Sequence, residues 1–116
     1  MHLWRYDDQP DAYHHSTIRT APSRDFLRAE LREVLPQATW VAAGIGRHQW
    51  EVNQWCLEAG GHCRTGLEDN TRIDATRLAS SNAELVGKIV DACERFDRVP
   101  ATPEEARAIL KLPQAA

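Results

Sequence analysis

From residue 23 onward the hydrophobic positions fall into alternating periods. Phe26, Leu27, Leu31, Val34 and Leu35 recur at helical spacing after Ser23, a good N-cap, and before Pro36, so a helix is expected over about residues 24–35. Thr39–Ile45 is a short apolar run between Pro36 and Gly46, with the length and composition of a parallel strand buried on both faces. Trp50, Val52, Trp55, Cys56, Leu57 and Ala59 suit a second helix from His48 to Ala59, closed by Gly60-Gly61. His62–Leu67 reads as a second strand, followed by a polar loop. Leu85, Val86, Ile89, Val90, Cys93 and Phe96 return to helical spacing, with Ser80, Ser81 or Asn82 as the cap. Thr102-Pro103-Glu104-Glu105 then has a cap, a proline at N1 and a glutamate at N3, the capping-box start of a terminal helix running through Leu110. Residues 1–24 show no sustained period and read as an irregular arm.

Helices alternating with short apolar strands make a piece of a parallel α/β sheet. Two parallel strands joined by a right-handed crossover helix leave both edges open, so a partner or a larger sheet is expected to cover them. At 116 residues the chain is under half of a ~250-residue barrel. Composition adds only exclusions: with 42% hydrophobic residues, 27% charged residues and a formal charge of -3, nothing steers the chain to nucleic acid. No apolar run approaches the ~20 residues of a membrane span, and a cytoplasmic protein is expected. Cys56, Cys63 and Cys93 lack C-x-x-C spacing and read as reduced, partly buried thiols.

The densest chemistry lies in Gly61–Asn70, where Arg64, Glu68 and Asp69 fall at the end of the second strand. Side chains alternate along a strand, which puts Arg64, Gly66 and Glu68 on one face and lets Asp69 open the loop. These residues suit an active-site wall; the plainer reading is a polar turn in which Arg64 is a structural ion-pair partner of the carboxylates. Arg47 and His48, after the first strand, suit a capped helix start with a solvated arginine and histidine. Trp40, Trp50 and Trp55 are best read as helix-to-sheet packing.

Two blocks, Gly44-Ile45-Gly46-Arg47-His48-Gln49 and Gly60-Gly61-His62-Cys63-Arg64-Thr65-Gly66-Leu67-Glu68-Asp69-Asn70, resemble the last strands of the beta-keto acid cleavage enzymes, the family of the 3-keto-5-aminohexanoate cleavage enzyme of lysine fermentation. Ser81–Val86 and Ala101–Arg107 resemble the two helix starts that follow, in the same order and spacing. The resemblance covers about residues 25–112. It implies the C-terminal part of a (β/α)8 TIM barrel: helix 6, strand 7, helix 7, strand 8, helix 8 and a terminal helix. The activity it implies is metal-dependent conversion of a beta-keto acid and acetyl-CoA to acetoacetate and a new CoA thioester.

By that resemblance Glu68 is a zinc ligand, Arg64 and Asp69 are the acid/base pair that generates the carbon nucleophile, and Arg47 and His48 contact substrate or CoA. Zinc accepts mixed nitrogen and oxygen ligands at ~2.0–2.2 Å and leaves a position open for substrate. In the family, two histidines of an H-x-H motif on an earlier strand complete the metal site. No H-x-H occurs in this sequence: His14 and His15 are adjacent, and His2, His48 and His62 are isolated. The expectation is therefore a fragment that is inactive alone and needs another chain to supply the missing ligands. The alternative is a non-catalytic module that associates with a full-length relative through its open sheet edges.

Overall fold

The structure, a computed structural model, describes residues 21–34 and 36–114 of the chain. Among the described residues four α-helices and two strands follow one another in the order helix, strand, helix, strand, helix, helix: α1 (Ala21–Val34), β1 (Val41–Ala43), α2 (Gln49–Ala59), β2 (His62–Arg64), α3 (Asn82–Cys93) and α4 (Pro103–Ile109). The strands pair in parallel, with Val41 opposite His62, Ala42 opposite Cys63 and Ala43 opposite Arg64. The protein is thus a small α/β unit, as the alternating periods predict. The arm expected over residues 1–24 lies largely outside the described residues, as do Leu35, His2, His14 and His15.

Both strands are shorter than the apolar runs that encode them. Only Ala42 of β1 is fully buried, while Val41 and Ala43 are half-buried. Burial on both faces was the expectation for a strand inside a larger sheet, and two strands with one layer of helices cannot supply it. α1 shows the same deficit, since Phe26 on its expected apolar face is 61% exposed. This helix also begins at Ala21, so Ser23 lies within it rather than capping it.

The core is built around α2. Val52, Trp55 and Cys56 pack on Ala42, with Trp40, Ala59 and Cys63 around them. Leu57 turns the other way, to Ala92 and Cys93 of α3, where Trp50, Ile89 and Phe96 complete a second cluster. Trp40 and Trp55 meet with ring centroids 5.3 Å apart, which bears out the packing role read for them. Lys88 lies over the Trp50 ring and donates to the Ile73 carbonyl, so burial pushes its ammonium pKa down. Cys56, Cys63 and Cys93 are all free thiols. Cys56 Sγ donates to the Ala42 carbonyl and Cys63 Sγ to the Asn53 carbonyl, and the interaction of the two neighbouring thiols lowers the Cys63 pKa, with help from the Arg98 charge, and raises that of Cys56.

The helix ends follow the capping chemistry legible in the sequence. α2 stops at Gly60 in the left-handed conformation (φ 85°), and Arg98 donates to the Leu57 and Gly61 carbonyls that the helix end leaves over. Of the three candidate caps for α3, Ser81 is the one used; its hydroxyl accepts from the Glu84 N–H at 3.1 Å. α4 has the full reciprocal capping box between Thr102 and Glu105. No helix among the described residues is long and apolar enough to cross a membrane.

Candidate functional site

The turns that follow β1 and β2 lie side by side at the C-terminal ends of the strands. Parallel pairing forces this: both strands point the same way, so residues 44–48 and 65–70 emerge together. A bond from the Gly46 N–H to the Asp69 carbonyl, at 2.6 Å, joins the two turns directly.

β2 ends at Arg64, earlier than the apolar run suggests. Gly66 adopts φ 150°, a backbone conformation that L side chains rarely take, and the N–H groups of Asp69 and Asn70 both turn back to its carbonyl. Glu68 and Asp69 therefore sit on a turn, and the alternation expected to carry Arg64, Gly66 and Glu68 along one face stops at Arg64. What brings the charges together is the reversal of the chain. Arg64 Nη2 lies 2.7 Å from Glu68 Oε2, and its Nε lies 3.0 Å from Asp69 Oδ2. One edge of a single guanidinium holds both carboxylates.

The two carboxylates differ in their surroundings. The Asp69 side chain is only 8% exposed and the Glu68 side chain 83% exposed. An ion pair that is partly out of water is screened less and is fixed in direction by its hydrogen bonds, whereas an exposed one contributes ~0–1 kcal/mol. Asp69 is thus a carboxylate whose position is set by the protein. Glu68 reaches toward solvent with one oxygen engaged by Arg64.

Arg47 and His48 occupy a short 3-10 turn just before α2, beside the Asp69 turn through Gly46. Arg47 is exposed, and its Nε donates to His48 Nε2 at 3.4 Å. On its other side, His48 Nδ1 is 3.8 Å from Glu51 Oε2. These two residues flank the Arg64 cluster, joined to its turn by the Gly46–Asp69 bond.

Three amide side chains hold the turn in place, of which Asn82 was a candidate only as a helix cap. Gln49 is buried and bonds to Thr65, Gly66 and Asn70. Asn70 also bonds to Arg72 in both directions, closing the loop beyond Asp69. Asn82, at the start of α3, accepts from the Leu67 N–H at 2.8 Å. A signal for the first of these is present in the chain: Gln49 and Asn53 share the core-facing stripe of α2 with Val52 and Cys56, where an apolar side chain is the default.

A catalytic zinc ion takes three protein ligands in most sites. Among the described residues no three His, Cys, Asp or Glu side chains come together in a group able to hold a metal. Glu68 offers one carboxylate already engaged by Arg64, so these residues by themselves do not make a zinc site.

At the opposite end of the strands lies a groove of about 330 Å³, lined mainly by Trp40, Val41, His62, Ala106, Ile109 and Leu110. Its walls are apolar, and none of Arg64, Glu68 and Asp69 borders it.

The family model described as beta-keto acid cleavage enzyme matches residues 14–112, beginning inside the stretch read as an arm. A 3-oxoadipate:acetyl-CoA acetyltransferase of Cupriavidus necator is 55% identical over 83 residues, which are 72% of this chain and 29% of that protein. A 3-keto-5-aminohexanoate cleavage enzyme of Fusobacterium nucleatum is 44% identical over 94 residues, 80% of this chain and 34% of its own length. A 3,5-dioxohexanoate:acetyl-CoA acetone transferase of Paraburkholderia graminis is 39% identical over 77 residues, 66% of this chain and 25% of its own. The chain spans about a third or less of the length of these relatives. With the family model matching most of its length, the chain belongs to the beta-keto acid cleavage enzyme family.

Proposed function

We propose that this chain forms one wall of the active site of an enzyme that converts a beta-keto acid and acetyl-CoA to acetoacetate and a new CoA thioester. On this reading the described elements are the C-terminal part of a (β/α)8 barrel, with α1, β1, α2, β2, α3 and α4 as helix 6, strand 7, helix 7, strand 8, helix 8 and the terminal helix. The family match over residues 14–112 takes in all six of these elements. Active sites of such barrels assemble at the C-terminal ends of the strands, the end at which Arg64, Glu68 and Asp69 meet.

The observation that supports this reading most is the shared guanidinium edge. Asp69 acts as the base that removes a proton from the carbon between the two carbonyl groups of the beta-keto acid, and Arg64 holds the carboxylate and stabilises enolate charge as it develops. Arg47 and His48, on the adjoining turn, contact substrate or CoA. Glu68 would be one ligand of the zinc ion that the family resemblance implies, with further ligands supplied by another chain, and the metal would supply Lewis-acid polarisation of the keto and carboxylate oxygens.

A second reading is an interaction module that associates with a full-length relative. It is favoured by the apolar groove and by Val86 and Val90, which leave an apolar strip of α3 exposed.

A chimera separates the two. The segment of the Cupriavidus necator relative that matches this chain is replaced by the residues of this chain, and acetyl-CoA-dependent turnover of 3-oxoadipate is measured. Turnover that persists in the chimera and is lost with Asp69→Asn is the expected result. A folded chimera without turnover overturns the catalytic reading.

A further inference from the structure

Gln49 opens α2, yet its side chain is only 2% exposed and points away from the capping role common at a helix start. Burying a primary amide is unfavourable unless its donors and acceptor find partners. Here they do so in one direction only. Oε1 accepts from the Thr65 hydroxyl at 3.0 Å and from Asn70 Nδ2 at 3.2 Å, and Nε2 donates to the Gly66 carbonyl at 3.1 Å. Rotating the amide by half a turn would set NH2 against the Asn70 NH2 and oxygen against the Gly66 oxygen, so the network fixes its orientation.

The three partners bracket the chemistry. Thr65 and Gly66 come just before Glu68 and Asp69, and Asn70 comes just after. With the Gly46 N–H on the Asp69 carbonyl and Asn82 on the Leu67 N–H, the turn is held at both ends. Gln49 bonds to Thr65, Gly66 and Asn70, so it acts on the ion pair through the segment of residues 65–70 that carries Asp69.

We propose that Gln49 is the positioning residue of this site: it sets the turn after β2 so that Asp69 meets Arg64 Nε. The inference rests on the reading of Arg64 and Asp69 as the reacting pair, but its geometric content can be tested apart from that reading. An apolar residue of similar size would fill the space but remove the bonds that tie the Thr65 hydroxyl, the Gly66 carbonyl and the Asn70 amide to α2.

The test uses the 116-residue chain, labelled with nitrogen-15, and follows the Arg64 Nε–H resonance, which stays protected from exchange while Asp69 holds it. Core signals of Ala42, Val52 and Cys56 report whether the fold survives. Gln49→Leu is expected to keep the core signals and to speed exchange at Arg64 Nε–H by about tenfold or more. Gln49→Glu keeps the acceptor and loses the donor while ionised. Burial favours the protonated carboxyl, so protection in that variant should return as the pH is lowered, a profile that mere loss of packing does not produce. Asn70→Ala, which leaves the core untouched, should give a smaller acceleration.

If Gln49→Leu fails to fold, the other two variants decide. Unchanged Arg64 Nε–H exchange in both, with altered Thr65 and Gly66 amides, overturns the proposal and leaves Gln49 as loop packing. In the chimera, Gln49→Glu should lower kcat more than it changes KM. Should Asp69→Asn leave chimera turnover intact while the Arg64 signal behaves as expected, the catalytic reading fails and the positioning stands.

Discussion

The two ends of the β1–β2 pair are built on opposite principles. At the C-terminal end, the turns over residues 44–48 and 65–70 are tied by directed bonds: Gly46 to Asp69, Gln49 to three partners, and Arg64 to two carboxylates. At the N-terminal end, Trp40, Val41 and His62 meet α4 across an apolar groove, and the indole of Trp40 lies so close over Gly61 that a Cβ there would fall 2.2 Å from a ring carbon. Apolar contact is non-directional and specifies volume, whereas hydrogen bonds specify where atoms are and which way they point. Chemistry needs groups held in position, so the two ends are suited to different tasks.

The strongest way to break this contrast is to exchange the effects of mutation at the two ends. In the chimera, Asp69→Asn should lower kcat by about 10²- to 10⁴-fold, the usual contribution of general acid–base catalysis. Ile109→Ala, in the groove, should leave kcat unchanged. Equal turnover losses in the two variants would show that the ends do not divide the work as argued.

Next in size is Gly61→Ala, which forces the added methyl into the Trp40 ring. It should destabilise the chain by about 1–3 kcal/mol in urea unfolding, the usual range for overpacking, while Arg64 Nε–H keeps its protection. Loss of that protection would mean that strain at the N-terminal end reaches the polar end.

Thr102→Ala removes the cap of α4, the helix that walls the groove, and should cost about 1 kcal/mol. Amide exchange should accelerate in Pro103–Ile109 and stay as it was in α2. Acceleration in both helices would erase the separation between the ends.

The smallest effect belongs to Glu84, on the rim of the polar end. Its pKa is held at about 2, first by Arg77 and then by the Ser80 N–H, against an ordinary value of 4.5. A depressed carboxyl pKa means the unfolded chain binds the proton more readily, so its stabilisation is present above about pH 4.5 and lost as the pH falls through about 2. The stability difference between wild type and Glu84→Gln should be constant at neutral pH and shrink over that window. A difference that does not change with acid would show that the Glu84 charge contributes nothing.

Elements and caps were legible because their signals are local. Ser81, Thr102, Pro103 and Glu105 act on residues within three or four positions, so their roles in α3 and α4 could be read before any packing was known. Strand lengths were not legible in the same way. The runs Thr39–Ile45 and His62–Leu67 carry the apolar character of longer strands, but each has one neighbouring strand to pair with, and each pairs over three residues. Arg64, Glu68 and Asp69 were identified by type and by resemblance, while the expected strand alternation gave the wrong account of how Glu68 comes near Arg64.

By itself, then, the sequence determined the order of elements, the capping box of α4, the family, and which charged residues gather near the end of β2. Only the tertiary structure decided that one guanidinium edge meets both carboxylates, that the Asp69 side chain is buried while that of Glu68 is not, and that Gln49 holds the turn carrying both. The reason is sequence distance. Gln49 reaches partners 16 and 21 residues away only because β1 and β2 run parallel and deliver their turns to the same place, a condition set by strand pairing rather than by any period along the chain.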